Sequence, residues 1–342
     1  MKRLLCVLLL VSVLLPGCNA GQGVPDQKQY NATFLTLFDT VTTIVGKADS
    51  KEEFQKTAQQ IHDALLEYHQ LFDIYNDYDG INGLKSINDA AGKNPVQVDR
   101  RVIDLLLDCK DYYALTGGKV NPAMGSVLQL WHEARNDGIN DPVHAYLPDQ
   151  QALENAAMHT DFDCVVIDES AGTVFITDPQ VSLDVGAIAK GWSVQRVCEV
   201  VPEGLLVSVG GNVCATGPKD SAGTPWVIGI QNPDGGSEYL HTVYLSRGSV
   251  VTSGDYQRAY RVAEKTYHHI IDPETLYPSA YWRSVTIVCD DSGLADALST
   301  ALFLLSLEEG RELAASCGVE VLWVDGSGQM YYTAGFESMI RT

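Results

Sequence analysis

Apolar residues at Phe54, Ala58, Ile61, Leu65, Tyr68 and Phe72 recur every three or four positions through a polar stretch, the spacing of one buried helix face. Ser50-Lys-Glu-Glu53 stands just ahead and reads as a capping box, predicting where that helix begins. A second face, Val102, Leu105, Leu106, Cys109 and Tyr113, starts from Asp99 as N-cap and stops at Gly117-Gly118. Residues 148–158, opening with Pro148-Asp149, predict a third, shorter helix. From residue 164 the period drops to two. Segments 164–168 and 173–177 flank the turn Glu169-Ser-Ala-Gly172 and predict a hairpin. Further strands are expected over 205–209, 226–230, 239–245, 256–262, 266–271 and 284–289, and a last hairpin over 319–324 and 329–333 turns on Asp325-Gly-Ser-Gly328. Helices interrupt at about 188–201 and 294–308. Helices early, hairpins throughout and few βαβ alternations give an α+β class with antiparallel sheets and packed helices.

The N-terminus follows neither period. Lys2 and Arg3 precede an apolar run over 4–15 that is too short to span a bilayer and has the anatomy of a signal peptide. Its end, Leu15-Pro16-Gly17-Cys18, resembles a bacterial lipoprotein cleavage site, with Cys18 carrying the lipid (palmitate among its chains). The other reading is an ordinary cleaved signal with an incidental cysteine. Both readings put the mature chain outside the cytoplasm, the first on a membrane. Residues 18–29 are polar and Gly/Gln-rich, so the expected organisation is signal 1–17, tether 18–29 and one folded domain over 30–342.

Charge narrows the partners. Against 44 acidic residues the chain has 23 Lys and Arg, a net charge of −21 that becomes −23 once Lys2 and Arg3 are removed. Such a surface argues against nucleic acid, which needs clustered cations, and leaves any phosphate ligand to a bound metal ion or to backbone N–H groups. Cys109, Cys164, Cys198, Cys214, Cys289 and Cys317 have no metal-ligand spacing and read as buried thiols.

Ser182-Leu-Asp184-Val-Gly-Ala187-Ile-Ala-Lys190-Gly191 places a carboxylate and an ammonium around small residues that let backbone approach a ligand. The segment equally fits a strand running into a helix, with Asp184 near the cap. Asp296 and Thr300 fall one helical turn apart on one face, hard oxygen donors suited to Mg²⁺; the same spacing fits a Thr bonded back into its helix beside a solvent-facing Asp. In Tyr267-His268-His269-Ile-Ile-Asp272-Pro273 two adjacent histidines of a strand would face opposite ways, so at most one serves a site, as a base near neutrality or as a structural group. Val209-Gly-Gly-Asn212 and Thr252-Ser-Gly-Asp255 follow apolar strands and expose N–H groups or simply turn hairpins. Tyr112-Tyr113 and the loop 117–122 offer rings and polar atoms to a heterocycle or to the core. Neither a Walker A loop nor a dinucleotide fingerprint occurs, nor HExxH or GxSxG.

Taken in order, Phe38-Asp-Thr40, the 182–191 segment, Val209-Gly-Gly-Asn212, Trp226-Val-Ile-Gly-Ile-Gln-Asn-Pro233, Thr252-Ser-Gly-Asp255, His269-Ile-Ile-Asp272-Pro273 and Ala295-Asp296-Ala-Leu-Ser-Thr300 resemble the ApbE family of FAD:protein FMN transferases over roughly residues 34–335. The resemblance implies a single ApbE-like domain related to the T-fold. It implies that FAD is bound as substrate, its pyrophosphate split with Mg²⁺, and FMN joined through phosphate to a Thr or Ser hydroxyl of an acceptor protein, releasing AMP. By motif, Asp184 and Lys190 resemble FAD contacts, and the Ala187 carbonyl with Asp296 and Thr300, and Ser299 beside them, resembles the metal site. Phe38, Tyr75, Lys119, Val120, Asn121 and Ile271 fall where the family lines its flavin and adenine pockets, and His269 resembles the histidine that assists the attacking hydroxyl. Phe38 stands where the family usually has Met, Asn121 and Ala123 where it has Asp and Thr, and Leu276 where it has Gly. The rival readings are an FAD pyrophosphatase using water at the same site and a flavin-binding lipoprotein without chemistry.

Overall fold

A computed structural model describes residues 27–236 and 238–341 of the chain. The signal segment 1–17 and Cys18 lie outside the described residues.

Strands β1 (Lys28–Phe34) and β2 (Thr42–Ala48) lead into α1 (Lys51–Phe72), α2 (Leu84–Asp89), β3 (Val96–Gln97) and α3 (Arg100–Leu115). Next come α4 (Gly125–Asn140), α5 (Gln150–Ala157), the hairpin β4 (Val165–Asp168) and β5 (Thr173–Ile176), and α6 (Ala189–Cys198). Strands then dominate: β6 (Leu205–Val209), β7 (Asn212–Ala215), β8 (Trp226–Gln231), β9 (Tyr239–Leu245), β10 (Gly248–Gly254), β11 (Tyr260–Val262), β12 (Lys265–Tyr267) and β13 (Trp282–Cys289). The chain closes with α7 (Ser292–Phe303), α8 (Leu307–Cys317), β14 (Glu320–Asp325), β15 (Met330–Tyr332) and α9 (Ala334–Met339).

Eight strands form one antiparallel sheet in the order β1-β2-β6-β7-β10-β13-β14-β15. Both faces are covered, and the period of two decides which residue goes where. On β10, β13 and β14, Val251, Ile287, Val321 and Trp323 point to α7 and α8. Their neighbours Val250, Val288, Leu322 and Val324 point to the opposite face, where the β8–β9 hairpin and Phe336 of α9 cover them. On the helical side α1 and α6 pack Ile61, Leu65, Val194 and Val197 against Ile44, Val207 and Val209 of β2 and β6. A second body of α2, α3 and the three-stranded β3-β5-β4 sheet builds on the 181–192 segment, and α4 and α5 pack with β11, β12 and the turn at Leu276. The α+β class with antiparallel sheets holds.

Several boundaries differ from the pattern-based expectation. Lys28 and Gln29, assigned to the tether, already pair with Ala48 and Lys47 in β1. Ser50 Oγ accepts from Glu53 N–H at 3.1 Å, one arm of the expected box; the reciprocal box forms instead at Ser306 and Glu309. That second box splits the expected helix 294–308 into α7 and α8, because Ser306 starts a new helix while the apolar spacing runs on through it. The strand expected at 266–271 ends at Tyr267 and the one at 256–262 begins only at Tyr260, so His268 and His269 leave the ladder before their side chains would alternate. Helix α4 was not anticipated: Val127, Leu128, Trp131 and Ala134 have the right spacing, but its N-cap is Met124, which offers no capping side chain.

Candidate active site

The 182–191 segment is pinned before it does anything chemical. Asn88 grips Leu183 from both sides, accepting from its N–H at 2.7 Å and donating to its C=O at 2.9 Å. Asp184 N–H donates to Pro122 O at 2.8 Å and Gly125 N–H to Ser182 O at 2.9 Å, and a side chain at Gly125 would strike that same carbonyl. Asp184 is not the cap of α6; its carboxylate accepts from Gly186 N–H at 2.8 Å in its own loop, and the N-cap is Ile188, whose side chain cannot accept a hydrogen bond.

A neighbour caps the helix instead. Gly191 N–H donates to Asp296 Oδ2 of α7 at 2.8 Å. That contact requires glycine, since a Cβ at 191 would lie 2.2 Å from Ser292 O and 2.5 Å from Asp296 Cβ. Asp296 is only 4% exposed, so it does not face solvent. Its Oδ2 also lies 3.6 Å from Lys190 Nζ, and its Oδ1 accepts no hydrogen bond among the described residues. Thr300 Oγ1 is not bonded back into α7; it is the neighbouring Ser299 that donates to Asp296 O, at 2.8 Å. The Ala187 carbonyl likewise receives no backbone N–H.

These groups share one cleft enclosing about 1280 Å³ of space, solvent at its mouth included. The cleft gathers Tyr75, Lys119, Val120, Asn121, Asp184, Ala187, Lys190, His269, Ile271, Asp296 and Thr300. Two candidates fall elsewhere. Phe38 lines a smaller adjoining pocket that shares Tyr75, Asp184 and Lys190 with the main one, and its backbone is left-handed at φ 51°. Ser299 is fully buried, its hydroxyl occupied by Asp296 O and by Ser253 Oγ at 2.8 Å, so it does not reach the cleft wall.

The two histidines have opposite fates. His268 is satisfied on both nitrogens: Nδ1 accepts from Ile270 N–H at 3.2 Å, so Nε2–H donates to Ser279 O at 2.8 Å. His269 donates Nδ1–H to Gln257 O at 3.2 Å, which leaves the lone pair of Nε2 free. Enclosure by the cleft walls, then the charges of Arg258 and Lys190, pushes its pKa down to about 3, so it stays neutral. Lys119 is held at 3.1 Å by Asp272 and at 2.9 Å by Glu274. Asn121 donates to Thr160 O at 2.9 Å and accepts from Ala123 N–H at 2.9 Å, shaping the loop in which it sits. Leu276 adopts φ 63°, a region that favours glycine, and is braced there by Trp131 Nε1–H donating to its carbonyl at 2.9 Å.

Sequence reasoning missed part of the wall. Arg135 on α4 and Arg258 after β10 both line the cleft, as does Asn212, whose amide nitrogen is buried without a hydrogen-bond partner. The Asn212 motif was visible; that its side chain would be an orphaned donor was not. The six candidate thiols are all free.

A hard divalent cation suits this wall. One carboxylate oxygen, one hydroxyl and one carbonyl are each left without a protein donor, and all are oxygen ligands of the kind Mg²⁺ takes. Among the described residues no three His, Cys, Asp or Glu side chains gather as a metal site, which leaves a set with a single carboxylate untouched.

The profile of the ApbE family matches residues 38–323. An FAD:protein FMN transferase of Treponema pallidum is 32% identical over 310 residues, covering 84% of each chain. One from Klebsiella pneumoniae is 33% identical over 261 residues, 73% of this chain and 78% of that one. The crystal structure of the ApbE protein of Thermotoga maritima superposes with a TM-score of 0.80 at 30% identity, over 92% of this chain and all of that one. A profile that runs from Phe38 through every cleft-forming motif, with relatives alike over most of both lengths, makes this chain a member of the ApbE family.

Proposed function

We propose that the protein is an FAD:protein FMN transferase, moving FMN from FAD to a Thr or Ser hydroxyl of an acceptor protein through a phosphoester bond and releasing AMP. The observation that carries this reading is the convergence in one cleft of a neutral histidine with a free Nε2 and an oxygen set lacking protein donors. The relatives' name supports the same activity. Asp296, Thr300 and the Ala187 carbonyl would hold Mg²⁺, which when bound neutralises charge on the pyrophosphate. His269 Nε2 takes the proton as the acceptor oxygen bonds to the FMN-side phosphorus and the P–O bond to AMP breaks. The Gln257 carbonyl fixes the tautomer that leaves Nε2 unprotonated. Tyr75 and the 119–121 loop bound the space for the rings, and Asp184 and Lys190 for the remaining polar contacts.

The cleft is open to solvent, and Nε2 would accept a proton from water as readily as from a hydroxyl, so FAD hydrolysis to FMN and AMP is the second reading. The purified protein incubated with FAD, Mg²⁺ and an acceptor domain distinguishes them: covalent flavin fluorescence on the acceptor supports transfer, free FMN with AMP supports hydrolysis, and unchanged FAD sinks both in favour of a binding lipoprotein. The same proposal places the protein on the extracytoplasmic face of the cell membrane through lipidated Cys18. Cys18→Ala should move it from the membrane to the soluble fraction, and membrane retention would refute the anchor.

A further inference from the structure

Four basic side chains line the cleft, Lys119, Lys190, Arg135 and Arg258, in a chain whose net charge is −21. Both lysines have carboxylates within 4.0 Å, and among the described residues neither arginine does. Asp184 lies near enough to be felt by Arg135 yet forms no ion pair with it, its carboxylate being turned to Gly186 N–H. What Arg135 does touch is neutral: its Nη2 donates to His132 Nδ1 at 2.7 Å, and the His132 ring stacks on Tyr75 at 5.0 Å and 24°. That contact orients the guanidinium without cancelling its charge. Arg258 stands on strained backbone at φ 46°, its Nη2 3.5 Å from Phe38 O, at the junction of the main cleft and the Phe38 pocket. Strain at a non-glycine residue in a cleft is tolerated where it aims a side chain.

We propose that Arg135 and Arg258 form a guanidinium clamp for the diphosphate of the dinucleotide substrate, supplied from α4 and from the turn after β10. This rests on the FAD reading above. Two like charges fixed beside each other disfavour one another, and burial together with Arg258 holds the pKa of Arg135 below its ordinary value. A dianion between them removes that repulsion, and the planar fork of each guanidinium matches phosphate oxygens. Arg258 also bears on the chemistry, because after burial its charge does most to hold His269 unprotonated.

The test measures binding, not turnover. FAD affinity is read by flavin fluorescence for the wild type, Arg135→Gln, Arg258→Gln and Arg258→Lys, with folding checked by circular dichroism. In parallel, inorganic pyrophosphate in EDTA is titrated by thermal shift, so that only the protein's own cations contribute. The clamp predicts that each Gln variant loses on the order of tenfold in affinity for both FAD and pyrophosphate, and that Arg258→Lys recovers part of it. Folded Gln variants with wild-type affinity for pyrophosphate would overturn the clamp. A Gln variant that fails to fold leaves Arg258→Lys to decide, since loss of bidentate geometry alone should still weaken pyrophosphate binding; unchanged affinity there overturns the proposal. Wild type that binds pyrophosphate but not FAD overturns the substrate reading and leaves the anion site standing.

Discussion

Asp296 caps a helix to which it does not belong, while its other oxygen is left to the cleft. Changing it therefore removes two things, and two substitutions separate them. Asp296→Ala should abolish flavin transfer at any Mg²⁺ concentration while circular dichroism shows an intact fold; Asp296→Asn keeps an acceptor for Gly191 N–H and should lose transfer equally, and transfer restored by excess Mg²⁺ would refute the ligand role. His269→Ala should lower kcat far more than it weakens FAD binding, because the ring's own link to the chain is one hydrogen bond to Gln257 O; equal losses would make it structural. At this scale the family resemblance singled out Asp184, Lys190, Asp296 and Thr300, and the fold brings all four into one cleft. The sequence was silent on Arg135 and Arg258, which look like surface charges until α4 and the turn after β10 fold over the same space. It misplaced Ser299, because helical spacing puts Ser299 beside Asp296 without saying that its hydroxyl bonds back into α7.

Between α7 and α8 the break is made by polar atoms and not by any loss of apolar character. Ser306 Oγ accepts from Glu309 N–H while the Glu309 carboxylate accepts from Ser306 N–H at 3.0 Å, and Trp282 Nε1–H donates at 2.9 Å to Leu305 O in the break itself. Ser306→Ala should cost about 1 kcal/mol in denaturant unfolding, with no change in FAD binding because no residue of α8 lines the cleft. A pattern reading follows apolar period and so joined the two helices. Of the large sheet, β6, β13, β14 and β15 were legible from their pattern, whereas β1, β2 and β7 drew no expectation. Helix α4 drew none either, lacking a capping side chain, although it carries Arg135 and closes one side of the site.

For the whole molecule the pH response follows from the neutral histidine enclosed by the cleft walls. His269 in the fold has a pKa of about 3 against an ordinary value of 6.5, so the unfolded chain takes up the proton first as pH falls. Stability contributed by the neutral ring is complete above 6.5, declines between 6.5 and 3, and changes no further below. Chemical denaturation at pH 7 and pH 5 should show His269→Asn losing less stability on acidification than the wild type, and identical slopes would contradict the shift. His268, also pushed down by burial, keeps its share of the slope in both proteins. The −21 net charge and the four basic groups in the cleft make the molecule acidic outside and locally basic within. Composition showed the first half of that; only topology could show the second.

The cleft wall runs from Tyr75 to Thr300 and draws on α4, the 182–191 segment, β10 and α7. No contiguous stretch of chain holds even half of it, so the site comes into being only when sheet and helices have closed together. A molecule seated there would fasten distant stretches of chain at once, and mass action would make the concentration of free dinucleotide a determinant of how long the protein persists in its native state.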